Sequence, residues 1–369
     1  MIDYIKIEGF KSFRNLEIKL APINILIGSN GSGKSNLLSF FQLFRAIFSQ
    51  KLQKFVLEEK TDNILHFGRK HTTKMYAKTI FKNKDGNNNA YFFELGQDRQ
   101  GGLFIRTEGS GYNVGYEDDS NNYFHESNLE ESKVAISSSF RDKYLRDYIR
   151  TLKTFHFHDT SSTSALRREC DIDDNKALRS DGGNLPAYLF ALQKNHPKIF
   201  LRIEKAIQSV APYIDRLILE PRELSEGRSE ISLRWADNGD SESSFSAYQL
   251  SDGTLRFIAL STLLMQPDPP AVIIIDEPEL GLHPFAIGKL ASMIQAASSQ
   301  IQILAATQSA SLIDFFKPED ILVVDRSKDR SDTIIRRLDN DKLATWLEEY
   351  SLGDLWEKNI INSAQPFQK

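Results

Sequence analysis

The 369-residue chain predicts an α/β fold with helices on both faces of its sheet, and two observations carry that prediction. The first is Gly28-Ser-Asn-Gly-Ser-Gly33-Lys34-Ser35, a glycine-rich loop between an apolar run, Ile23 to Ile27, and a helical stretch, Asn36 to Phe48. Strand, loop and helix in that order aim backbone N–H groups and a helix N-terminus at a phosphate chain. The second is the patterning of the C-terminal third. Ala271 to Ile275, Ile301 to Ala306 and Ile321 to Val324 are short apolar runs of the kind that fill a parallel sheet. Between the first two, Ile287, Leu290, Ala291, Ile294 and Ala297 share one helical face. Alternating strand and helix argues a parallel sheet with helices packed on it.

The remaining elements follow in chain order. Tyr4 to Gly9 and Leu16 to Leu20 alternate as half-buried strands around a turn at Ser12 to Asn15. Met75 to Phe81, Ala90 to Leu95 and Leu103 to Thr107 are rich in β-branched and aromatic residues, and turn clusters at Lys84 to Asn89 and Gly101-Gly102 separate them. They predict an antiparallel β lobe. Residues 109–135 are polar and predict a long loop or a mobile segment. Residues 138–152 predict a helix bearing Arg141, Lys143, Arg146 and Arg150, either a solvated face or a contact for phosphates. Residues 185–210 predict a helical subdomain with Leu185, Leu189, Leu192, Ile199, Ile203 and Ile207 in its core. No segment sustains the heptads of a long coiled coil.

Composition bounds the function. At 40% hydrophobic and 26% charged, the chain suits one large domain with an insertion, or two domains. A net charge of −4 gives no global positive field for nucleic acid, although Arg69 to His71, Arg141 to Lys153 and Arg167-Arg168 are local basic stretches. A single cysteine, Cys170, excludes internal disulfides and a Cys-x-x-Cys metal hook and suits a reducing cytoplasm. The opening Met1 to Glu8 lacks the pattern of a signal peptide. No apolar run approaches the roughly 20 residues that span a bilayer, so no membrane association is expected.

The chemistry collects in three stretches. In the glycine-rich loop, Asn30, Gly31, Ser32, Gly33 and Asn36 would cradle phosphates, Lys34 would reach the β- and γ-phosphates, and Ser35 would hold Mg²⁺. Asp276-Glu277 follows the apolar strand directly, and Pro278 stops it. Asp276 would complete the Mg²⁺ shell with oxygen, and Glu277 would act as general base or water positioner. Ser251-Asp-Gly253-Thr precedes a helical run, Arg256 to Met265, and offers a hydroxyl and a bare N–H to an anion.

The set GSNGSGKS, LSDGT, IIIDEPELGLHP and ATQS resembles the ABC-class ATPase heads of the SMC, RecF and overcoming-lysogenization-defect group. Ile7 to Phe13 resembles the start of those heads, and Tyr350 to Trp356 the end of the stand-alone bacterial members. The resemblance implies a P-loop NTPase head with a mixed central sheet. It makes 1–65 and 155–369 the composite head and 66–154 an inserted lobe. It implies ATP and Mg²⁺ as cofactors and a homodimer closed by an ATP sandwich. Ser251 and Gly253 of one copy would then face Lys34, Ser35, Asp276 and Glu277 of the other. Gln308 falls at the switch position, where an amide can contact the γ-phosphate but exchanges no proton at neutral pH. Leu280 to Pro284 would line the dimer seam, with His283 either there or structural. Lys11 and Arg14 either reach the nucleotide or are exposed charges. No glutamine suits a Q-loop, and Asn63 to Arg69 is expected in its place.

The family's stand-alone members often sit beside nucleases, so the resemblance implies a separately encoded effector, with DNA as a further partner, in phage defence or DNA repair. The alternatives are a transporter's nucleotide-binding subunit and an ATP-gated nuclease. The late signature and the missing Q-loop count against the first. Against the second, the TOPRIM domain of the larger relatives has no room after Asp325, and no Asp-x-Asp follows a strand there.

Overall fold

The computed structural model describes residues 1–82, 86–116, 123–224, 227–327 and 332–361. The chain opens with β1 (Ile2–Phe10), β2 (Phe13–Lys19) and β3 (Ile23–Ile27), then α1 (Lys34–Phe48), α2 (Leu52–Glu59) and α3 (Thr61–Ile64). It continues through β4 (Lys74–Lys82), β5 (Asn88–Gln97), β6 (Leu103–Tyr112), β7 (Tyr123–Leu129), α4 (Phe140–Thr151) and β8 (Lys153–Phe155). The middle holds β9 (Cys170–Asp171), α5 (Leu185–Asn195), α6 (Pro197–Val210), β10 (Ile214–Ile218), β11 (Pro221–Glu223), β12 (Ser229–Ile231), β13 (Arg234–Asp237) and β14 (Asp240–Ser246). The last part is α7 (Asp252–Met265), β15 (Val272–Asp276), α8 (Pro284–Ala297), β16 (Gln302–Thr307), α9 (Ala310–Ile313), β17 (Ile321–Arg326), β18 (Thr333–Arg337), α10 (Asn340–Leu347) and α11 (Leu352–Glu357).

The central sheet runs β18-β17-β3-β16-β15-β8. It is parallel except at β18, which pairs antiparallel with β17, so it is mixed, as expected. Side chains alternate across a strand, and here the alternation assigns residues to two cores. Ile25, Ile27, Ile273, Ile275, Ile303, Ala305, Ile321 and Val323 face one core with α5 to α8. Leu26, Val272, Ile274, Leu304, Ala306, Leu322 and Val324 face the other with α1.

That second core explains why α1 is apolar nearly all round. The central sheet covers one side of it and an antiparallel sheet, β2-β1-β4-β5-β6-β7, the other. A helix covered on both sides keeps only a narrow polar edge, here the exposed Gln42 and Arg45. Phe40, Phe41, Phe44 and Phe48 are all buried, and Phe44 stacks on Phe81 and Phe93 of the antiparallel sheet.

The expected strands of the 66–154 segment are present and longer than predicted. They prolong the sheet that β1 and β2 begin, so a boundary at residue 66 separates strands of one sheet. A boundary at 154 falls within β8, which pairs with β15 in the central sheet. The polar stretch 109–135 carries the end of β6 and all of β7 instead of one long loop. Buried Glu108 is one cause: it accepts hydrogen bonds from Tyr91, Ser132 and the N–H groups of Lys133 and Val134. Such tertiary partners override local polarity. The Asp-Asp-Ser-Asn-Asn run at 118–122, and residues 84 and 85 of the expected turn, lie outside the described residues.

On α4, Leu145 and Ile149 are buried, Arg146 donates to the Ser137 carbonyl at 2.6 Å, and Lys143 and Arg150 stay exposed. No helix among the described residues is long and apolar enough to cross a membrane.

Candidate functional site

The phosphate loop begins where the fully buried β3 ends at Ile27, and α1 begins at Lys34. Gly33 has φ +120, and a Cβ there would collide with the Thr333 side chain, so glycine is needed twice over. Thr333 Oγ1 lies 2.7 Å from the Ser32 carbonyl and 2.8 Å from Ser12 Oγ, and the Asn36 amide donates to Ser12 Oγ at 2.6 Å. The loop is thus pinned by the start of β18 and by the β1–β2 turn. Lys34 Nζ donates to the carbonyls of Gly28 at 2.5 Å and Ser29 at 3.2 Å. Burial lowers its pKa, and the charges of Asp276, Glu277 and Glu279 oppose that shift.

Parallel strands in register deliver their C-terminal ends to this loop. Val323 and Thr307 both pair with Ile27, and Asp276 pairs with Ala306. One cleft is therefore lined by Ser29, Asn30, Gly31, Gly33, Lys34, Ser35 and Asn36 on the loop side and by Asp276, Glu277, Gln308 and Arg326 from the strand ends. Burial raises the Asp276 pKa, Glu277 adds to the shift, and His158, His156 and Lys34 counter it. Ser35 and Asp276 offer hydroxyl and carboxylate oxygens, the hard donors that fit Mg²⁺. Glu277 sits at φ +39, a strained setting for a non-glycine residue. Its N–H donates to the Ala306 carbonyl at 2.7 Å, and Gln308 Nε2 donates to its Oε1 at 2.6 Å. Glu279 is held by Thr307, whose hydroxyl donates to it at 2.5 Å, and burial raises its pKa.

Several expected residues are elsewhere. Ser32 is buried inside the loop and does not line the cleft. Lys11 pairs with Glu59 at 3.3 Å and Arg14 with Asp332 at 3.4 Å, and neither lines the cleft. Asn63 to Arg69 does not line the cleft either. Its backbone joins the β1–β2 hairpin instead, through Lys11 N–H to the Ile64 carbonyl and His66 N–H to the Gly9 carbonyl. The strand beside β15 is β8, so His156-Phe-His158 leaves the sheet next to Asp276. Burial lowers the His156 pKa. The readable signal was His-Phe-His after the short stretch Lys153-Thr-Phe155, but nothing in the sequence said which strand flanks Asp276. Arg326 was missed as well. It ends β17 in the cleft, with Nε donating to the Gly31 carbonyl at 3.1 Å. The Ile321 to Val324 run contained that information, since every parallel strand ends at the same edge.

The Ser251 to Thr254 turn does not line this cleft. Ser251 caps α7, accepting from the Thr254 N–H at 3.1 Å, and is exposed. Gly253 packs so closely on the Gly281 carbonyl that any Cβ would collide with it. Arg167 is no surface cation. It is buried beneath the turn, bonded to the carbonyls of Thr160, Ala247 and Leu250 and paired with Asp252 at 2.7 Å. His283 caps α8, its Nδ1 accepting from the Phe285 N–H at 3.3 Å, and is exposed with Leu280 and Phe285 beside it.

Solved structures match this architecture across its length. The SMC head bound to the C-terminal winged-helix domain of ScpA is 15% identical, covering 93% of this chain and 99% of its own, with a TM-score of 0.59. The Pyrococcus furiosus Smc head with an extended coiled coil, bound to the C-terminal domain of ScpA, is 14% identical, covering 94% and 98%, with a TM-score of 0.56. At that identity the likeness is one of fold. A curated relative, urease accessory protein 2 of Cryptococcus neoformans var. grubii, is 37% identical over 91 residues, and the chain spans only 7% of its length. Residues 23–314 match the family described as "AAA domain, putative AbiEii toxin, Type IV TA system", well over half of the sequence. The chain belongs to this AAA-domain ATPase family and has the fold of an SMC head.

Proposed function

We propose that the protein is an ATP-driven switch: two copies close around ATP and part when it is hydrolysed, and that cycle controls an effector. The observation that carries this reading is the division of the chemistry. Loop, carboxylates, Gln308 and Arg326 line one cleft, while the capped Ser251 turn is exposed and does not line it. A second copy can bring that turn to the γ-phosphate. The exposed Leu280 and Phe285 beside the turn's packing partner supply apolar surface for the seam. Oligomers built this way are closed and symmetric, with the same patch on both subunits.

Within each cleft, Asn30, Gly31, Gly33 and Asn36 cradle the phosphates, Lys34 and Arg326 neutralise them, and Ser35 and Asp276 hold Mg²⁺. Mg²⁺ would neutralise phosphate charge. Glu277 positions or deprotonates the attacking water, and Gln308 orients Glu277 through their hydrogen bond. The effector is a separately encoded protein, a nuclease in the simplest case, or DNA itself, in phage defence or repair within the cytoplasm. The family's toxin–antitoxin description and the ScpA domains bound to SMC heads support a partner protein.

Glu277→Gln tests the reading. The binding groups survive while the carboxylate is lost, so the variant should retain ATP, hydrolyse it slowly and accumulate as a dimer in light scattering. Normal turnover in this variant would remove Glu277 from the mechanism.

A further inference from the structure

A second cleft lies away from the phosphate loop, between the segment after α3 and the β5–β6 turn. It measures ≈ 670 Å³ and includes Phe67, Arg69, Lys70, His71 and Arg99 among its walls. Phe67 is the unusual residue. It is 58% exposed and held at φ +55, a costly setting for a bulky side chain. Its ring leans on His66, centroids 4.3 Å apart, and meets His71 edge-on at 6.4 Å. One face of the aromatic is thus supported and the ring is still presented to solvent.

The charges around it are unevenly committed. Of the two carboxylates in the walls, Asp62 binds Arg69 through both oxygens at 3.0 and 2.9 Å, and Asp98 accepts through Oδ1 from the N–H groups of Gln100 and Gly102 at 2.8 Å. Lys70 and Arg99 are exposed and form no ion pair among the described residues. A presented ring with exposed cations beside it matches stacking on a base and contact with its backbone phosphates.

We propose that this cleft binds single-stranded nucleic acid, with Phe67 stacking on a base and Lys70 and Arg99 contacting phosphates. A duplex hides its base faces and would use the cations alone. The cleft is tied to the nucleotide site by short links: His66 Nδ1 lies 2.8 Å from the Lys11 carbonyl, and the neighbouring Ser12 holds Asn36 of the phosphate loop. The proposal stands on this cleft alone, whether or not ATP closes a dimer.

Fluorescence anisotropy without nucleotide tests it, using labelled oligo(dT) and oligo(U) of about 15 nucleotides and a duplex of the same length. At least one single strand should bind more tightly than the duplex, and comparing the two strands identifies the sugar. Phe67→Ala should weaken single-strand binding by about 5- to 100-fold, while Phe67→Trp retains it. Lys70→Glu with Arg99→Glu should weaken binding and flatten its salt dependence by about two phosphate contacts. Phe67 is exposed, so Phe67→Ala should melt like wild type and hydrolyse ATP at the basal rate. No binding, equal binding of duplex and single strand, or an unchanged Phe67→Ala would overturn the proposal. Loss of ATP binding in Phe67→Ala would also overturn it, by assigning the cleft to the nucleotide.

Discussion

Lys34 and Arg326 approach the same cleft from opposite walls, and each now bonds a carbonyl of the phosphate loop. A triphosphate would take both cations from those carbonyls. Hydrogen bonds to charged groups contribute about 1.5–3 kcal/mol, so Arg326→Ala should weaken ATP binding by roughly 10- to 100-fold in calorimetry, and Lys34→Ala should abolish phosphate release. Unchanged binding in Arg326→Ala would leave that residue a mere brace for the loop. Glu279 makes a different prediction. Burial raises its pKa in the folded protein above the ordinary 4.5, so the native state disfavours its charge. A carboxylate raised in this way costs stability above its folded pKa, and that cost fades as the pH falls towards 4.5. Glu279→Gln should therefore raise the urea midpoint at neutral pH, and the gain should shrink as the pH drops through that window. A gain independent of pH would mean that the charge is not the cause.

At the scale of the element, the sequence was most legible where period and context agreed. The unbroken apolar runs of β3, β15, β16 and β17 predict strands of a parallel sheet buried on both faces, and the structure sends neighbours such as Leu26 and Ile25 to different cores. His158 was illegible because its position beside Asp276 depends on strand order, which periodicity does not encode, whereas Arg326 was readable from the apolar run Ile321 to Val324 that it follows. Lys11 was open to reaching the nucleotide or standing as an exposed charge, and Glu59 on α2 holds its side chain. No local pattern could reveal that partner. Helix α1 was legible as a helix but not as the filling between two sheets, since its aromatic side chains would also suit a single buried face. That position makes Phe44 costly to remove. It packs on Phe40, Phe48, Phe81, Tyr91 and Phe93, so Phe44→Ala should destabilise the protein by about 3–5 kcal/mol in urea titrations. A loss below about 1 kcal/mol would show that the sheets collapse to fill the space.

For the whole molecule, the arrangement of two cores around one sheet fixes the phosphate loop and strand ends as a rigid half-site. Such a half-site can drive a switch only through differential affinity, and moving a population from about 1:99 to 99:1 takes roughly 5.5 kcal/mol. Two shared nucleotides per dimer are the source of that energy in this account. The most direct test mixes two variants, Lys34→Ala and Ser251→Arg, each expected to be inactive alone. A mixed dimer pairs both defects in one site and leaves the other site intact, so phosphate release should recover to roughly a quarter of the wild-type rate when the two are combined. No recovery on mixing, or full activity of Ser251→Arg by itself, would contradict a site shared between two copies.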